Sequence, residues 1–168
     1  MYQGRYDDAL SELDRGAAVE PNHPMIKTFR AKVLAVRGDW EVAAELFKKI
    51  LVDHPQLEAI RPLYAQCLTA RGEHEAARAQ LTDRVKELAR LDHDVPYWLA
   101  SAYAAEGEAD EAFKWLRAAI TLGNENLPWF RSNPAWQSLR ADKRFETLME
   151  EIERRREKRV SEETVNYS

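Results

Sequence analysis

Cysteine occurs once in this chain, at Cys67, so no disulfide can form within it. That usage suits a reducing compartment, the cytoplasm, although an exported fragment of a larger protein could carry the same composition. No apolar run approaches the roughly 18 residues a membrane span requires, and residues 1–8 lack the apolar stretch of a secretory signal. Positive charge is not in excess: 25 lysines and arginines face 29 aspartates and glutamates, for a net charge of −4. General attraction to nucleic acid or to an anionic membrane is therefore not expected.

Recurrent chemical motifs are missing too. There is no Gly-x-Gly-x-x-Gly, no phosphate loop and no Gly-x-Ser-x-Gly. His23, His54, His74 and His93 fall at or near expected turns, without metal-ligand spacing. Cys67 reads as a small buried hydrophobe on a helix. Acidic pairs such as Glu106 and Glu108 lie on turns, where solvation accounts for them. No catalytic residue, cofactor or metal is expected, and the chain does not read as an enzyme.

What is present is a period. Glycine is scarce, six residues in all, yet Gly4, Gly38 and Gly72 recur at a step of 34, and Gly107 follows one residue late. Ala9, Ala43 and Ala77 keep the same step, with Ala112 again one residue late, and Pro21 and Pro55 share it. A period of this length means stacked supersecondary units rather than one globular core. Apolar residues at steps of three and four predict helices over 6–19, 24–37, 40–53, 58–71, 73–90, 95–106 and 109–122. Glycine lies inside each pair. Asn22 or His23 should cap the second helix, with Pro24 at its first position, and Asp39 should cap the third. With no proline at position 89, the helix over 73–90 should be long.

After Gly123 the pattern changes to short apolar pieces broken by proline, then a helix over 143–159. The expected division is repeats over 1–122, a cap over 123–160 and a flexible tail over 161–168. Trp129 and Trp136 should seat the cap. The run from Arg154 to Arg159 reads as a helix face balanced by Glu150 and Glu151 four residues upstream, or as a basic docking patch.

These residues resemble a tetratricopeptide repeat array. The family's Leu-Gly-x-x-Tyr core is similar to Leu99-Ala100-Ser101-Ala102-Tyr103, with alanine for glycine. Its Ala-x-x-x-Phe is matched by Ala43-Ala44-Glu45-Leu46-Phe47, and Pro55 closes that repeat. The resemblance covers residues 4–122. It implies an all-α fold: a right-handed superhelix of stacked helix-turn-helix repeats with a C-terminal capping helix. Ala31, Ala65 and Ala100, like Ala43, Ala77 and Ala112, would sit at close helix crossings. The first repeat lacks its first helix. Either the chain is cut from a longer parent, or another molecule covers Tyr6, Leu10 and Leu13, as in a homodimer.

The resemblance also implies a function. Such arrays bind a protein or peptide in a concave groove lined by their first helices. The groove positions carried over are Thr28, Lys32 and Val36, then Pro62, Gln66 and Ala70, then Tyr97, Ser101 and Ala105. Trp98 shares a register with Phe29 and Leu63, and either packs or meets the ligand. The family's clamp for terminal carboxylates is not reproduced, because Lys32 alone supplies a cation. The cap, with Asn133-Pro134, Leu139-Arg140 and Lys143-Arg144-Phe145, is similar to the segment closing repeat arrays in some bacterial multidomain signalling proteins. An assembly or regulatory segment of such a protein is the alternative reading.

Overall fold

A computed structural model describes the backbone of residues 5–166 and the side chains of residues 5–158. Gly4, the first glycine of the periodic set, lies outside the described residues, as do positions 167–168 of the expected tail. The described chain is all-helical. It runs α1 (Tyr6–Val19), α2 (Pro24–Arg37), α3 (Trp40–Asp53), a 3-10 turn (Glu58–Ile60), α4 (Arg61–Ala70), α5 (His74–Ala79) and α6 (Asp83–Leu88). Then come α7 (Asp94–Ala105), α8 (Ala109–Thr121), α9 (Leu127–Ser132), a second 3-10 turn (Pro134–Trp136) and α10 (Lys143–Asn166). None of the described helices is long and apolar enough to cross a membrane.

The repeat is built from one turn used three times. Gly38, Gly72 and Gly107 have φ of 100°, 79° and 80°, a left-handed geometry that glycine adopts without steric cost. At Gly38 the amide bonds Ala35 and the next amide, Asp39, reaches back to Leu34 at 2.9 Å. Glu73 to Leu68 and Glu108 to Tyr103 repeat that longer bond at 2.9 Å. This closes the last turn of α2, α4 and α7 and satisfies carbonyls that a helix end otherwise leaves unpaired. A Cβ at any of the three glycines would meet nothing within 4 Å. Backbone angle, not crowding, therefore selects the residue.

Small residues let the helices approach. Ala31, Ala43, Ala77, Ala100 and Ala112 are fully buried, and Ala65 is nearly so. Phe47, Leu81 and Leu116 fill the apolar position four residues after the second alanine of each unit, and all three are buried. Helix α2 packs on α3, α3 on α4, α4 on α7, and α7 on α8. Each hairpin thus leans on the next, as an α–α superhelix of repeats requires. Helix α1 contributes no buried residue. Tyr6, Leu10 and Leu13 are half-buried, and ion pairs from Arg30 to Asp14 and from Arg37 to Asp7 tie α1 to α2.

Four local expectations are corrected. The helix over 73–90 is broken into α5 and α6, because Thr82 takes an extended conformation (ψ 163°) and its hydroxyl accepts from the Val85 amide. Leu81 before the break and Val85 and Ala89 after it are all buried. The helix expected over 58–71 opens as a 3-10 turn, with Pro62 near the start of α4. Asp39 stands at the cap of α3 but makes no capping bond; its carboxylate accepts from Arg37 Nε at 2.6 Å instead. His23, by contrast, caps α2 through Nδ1 and Met25 N, with Pro24 behind it. Finally, α10 continues to Asn166, past the expected end at 159 and through most of the segment read as a tail. Residues 159–166 contain neither glycine nor proline to stop it. Upstream, Arg154 pairs with Glu150 and Arg155 with Glu151 along the same helix.

The cap extends the core of the repeats. Trp136, Phe130, Met149, Ile152 and Leu148 are buried to within about a hundredth of their surface. Phe145 and Leu139 lie beside them. Arg144 reaches across to α8, pairing with Asp110 at 2.7 Å and lying 4.3 Å over the Phe113 ring.

Candidate functional site

Helices α2, α4 and α7 present one face each to a cavity of about 640 Å³. Helical spacing of four explains who shares it: Lys32 and Val36 from α2, Gln66 and Ala70 from α4, Ser101 and Ala105 from α7. Trp40 and Phe47 of α3, Leu63 of α4 and Trp98 of α7 add apolar surface. The remaining wall comes from the cap, through Trp129, Asn133, Pro134, Ala135, Gln137 and Ser138. A volume of this size lies within the range of ligand sites, which are mostly apolar with a few placed polar groups.

Of the residues expected there, Lys32, Val36, Gln66, Tyr97, Trp98 and Ser101 line the cavity, as do Ala70 and Ala105. Thr28 does not. It is 1 % exposed, and its hydroxyl donates to the Pro24 carbonyl one turn back. From α2 the cavity takes Lys32, Ala35 and Val36, so the groove face begins one turn later than the resemblance implied. Pro62 is likewise buried in the core.

Tyr97 lines the cavity with its ring, but its hydroxyl is committed elsewhere. It accepts from Asn133 Nδ2 at 2.6 Å and from Trp136 Nε1 at 3.1 Å. Its ring meets Phe130 and Trp136 edge-on, with centroids 4.9 Å and 5.2 Å away. Tyr97 is therefore the post on which the cap is hung. The Ser101 hydroxyl is also spent, donating to the Tyr97 carbonyl at 2.9 Å.

Lys32 and Gln66 differ from these. Lys32 Nζ lies 5.2 Å from the centre of the Trp98 ring. Burial lowers its pKa below the ordinary lysine value, against a smaller raising influence from Asp94. Gln66 Nε2 donates to the carbonyls of Pro62, at 3.2 Å, and Trp98, at 3.4 Å. Two carbonyl partners fix the amide with its nitrogen toward them. Trp98 is 8 % exposed, and its Nε1 is the buried side-chain polar atom left without a partner among the described residues. A buried donor in that state costs about 1–3 kcal/mol.

At the cavity's rim sits a buried carboxylate. The Glu106 side chain is 2 % exposed and is held by Thr69 Oγ1 at 2.6 Å, His74 Nδ1 at 3.0 Å and Arg78 at 2.7 Å. Burial pushes its pKa up, but the hydrogen bonds from Thr69 and His74 and the nearby charges outweigh it and hold the carboxyl below its usual range. Cys67 is fully buried, and burial pushes its thiol up to about 12, which leaves it unreactive at neutral pH. Among the described residues, no group of three or more His, Cys, Asp or Glu could hold a metal ion.

Residues 1–58 match the tetratricopeptide repeat family. The match spans α1 to α3 and ends at Glu58, where the first 3-10 turn begins. No curated protein matches the chain. Repeats of this family generally mediate protein–protein interaction, and the described chain is all-helical, consistent with an α–α superhelical repeat fold.

The sequence missed the cap as part of the site. Its short pieces were legible as a cap, but nothing in their spacing said that Asn133 and Trp136 converge on Tyr97. The Glu106 cluster was missed as well, because its four members come from three elements: Thr69 from α4, His74 and Arg78 from α5, and Glu106 from the C-terminal end of α7.

Proposed function

We propose that this chain is a non-catalytic scaffold that takes a peptide or protein segment into the concave groove. The observation that carries the reading is the cavity itself. It is lined by the first helices of three successive units and walled by the cap, and it is large enough for a segment of a few residues. Apolar surface from Trp40, Val36, Leu63 and Trp98 would supply affinity through burial. The accessible polar groups would set register.

The test uses a random heptapeptide display library and the full chain. Ala70 and Ala105 line the cavity and are exposed, so enlarging them fills the groove without disturbing the core. Ala70→Trp and Ala105→Trp should each weaken selected peptides at least tenfold while leaving the melting temperature within a few degrees. Undiminished binding in both variants would move the site elsewhere.

A further inference from the structure

The cavity's polar groups have an uneven status. Ser101, Asn133 and the Tyr97 hydroxyl are engaged within the fold. Lys32 Nζ has no hydrogen bond and no carboxylate within ion-pair distance among the described residues, its neighbour being the Trp98 face. Asp94 acts on it at longer range and is itself occupied by Asn124 and His93. Gln66 Oε1 has no donor among the described residues, because both bonds of that side chain leave from Nε2. Neither atom is sealed from solvent, since the Trp98 indole nitrogen is the buried side-chain polar atom without a partner. An unpaired cation and an unpaired acceptor thus remain accessible, both held against Trp98.

The charge around them is one-sided. Among the described residues no carboxylate lines the cavity; Glu106, at its rim, is held by Thr69, His74 and Arg78, and apart from Lys32 the one basic group of that lining is His74. This occurs in a chain whose net charge is −4. A half-buried ammonium over an indole, without a counter-ion, gains from any anion brought into the same low-dielectric space.

Resting on the groove reading, we propose that the occupant is a peptide segment carrying an internal acidic side chain next to a bulky apolar one. The carboxylate meets Lys32, a backbone N–H of the segment donates to Gln66 Oε1, and the apolar neighbour lies along Trp98 and Trp129. A cation and an acceptor together fit a peptide better than a free organic acid, which has no amide to donate. The segment's own termini are not required.

The experiment uses the full chain and labelled pentapeptides with acetylated and amidated ends, which removes terminal charges. One set places glutamate beside leucine or an aromatic residue; the matched set has glutamine in its place. Fluorescence anisotropy reads both. The expected result is at least fivefold tighter binding of the glutamate set, a difference abolished by Lys32→Met and kept by Lys32→Arg. Gln66→Leu should weaken both sets alike. Equal binding of the two sets, unchanged in Lys32→Met, overturns the acidic requirement and leaves the groove reading standing. Binding of neither set at millimolar concentration overturns both. A free arylalkyl carboxylate that binds as tightly as the best peptide also overturns the proposal, in favour of a small acid.

Discussion

Removing one oxygen at Tyr97 should loosen the cap from the repeats. Tyr97→Phe keeps the ring, and with it the edge-on contacts to Phe130 and Trp136 at 4.9 Å and 5.2 Å. What it deletes is the shared acceptor of two buried donors, Asn133 Nδ2 and Trp136 Nε1. Asn133 is 6 % exposed and Trp136 is fully buried, so water cannot readily replace the lost oxygen. Each orphaned donor costs about 1–3 kcal/mol. Partial relaxation brings the pair to about 2–4 kcal/mol, a large fraction of the stability of a domain this size. In a stacked array the loss is local before it is global, because stability is a sum of unit and interface terms. Native-state hydrogen exchange should therefore show the amides of residues 129–140 deprotected by about 1.5 to 3 orders of magnitude, with those of α2 and α3 little changed. Urea denaturation should lower the midpoint or uncouple an early cap transition. Loss below about 0.5 kcal/mol, with cap amides as slow as in the parent, would refute the argument that Tyr97 suspends the cap.

Ala43→Leu and Ala77→Leu put extra methylenes at fully buried crossings. Each should cost about 1–3 kcal/mol by overpacking, read as a lower melting temperature; unchanged melting in both would show room that the crossings do not have. Glu106→Gln should destabilise by about 1–3 kcal/mol at neutral pH by weakening charge-assisted bonds to His74 and Arg78. Because the native carboxyl titrates below its ordinary value, its contribution is complete above that value and fades as pH falls through the lowered one. The gap between parent and variant in urea melts should accordingly narrow on acidification; a constant gap down to pH 3 would remove the carboxylate from the account.

How much of this was legible in the sequence depends on the range of the interactions involved. Turn glycines and crossing alanines answer to their own backbone angle and to the neighbouring helix, so their period reported them directly. Spacing of four put each trio on one face of its own helix and the resemblance chose which face, and Lys32, Gln66 and Ser101 do line one cavity. Thr28 shows where spacing stops: it shares that stripe, yet the cavity begins one turn higher, and nothing local sets its floor. Thr82 shows the opposite failure. The absence of proline at position 89 argued for one long helix, but the break is made upstream, where the Thr82 hydroxyl accepts from the Val85 amide and starts α6. Tyr97 is the most instructive residue. The resemblance put it among the groove positions and it lines the cavity, but its hydroxyl is fixed by Asn133 and Trp136, 36 and 39 residues away, in a segment without the repeat's period. A side chain can thus line a binding surface with one face and hold the fold with the other. Substituting it tests the cap before it tests the ligand, so the groove is better probed through Ala70 and Ala105, which are exposed, and through Lys32, whose ammonium meets only the Trp98 face among the described residues.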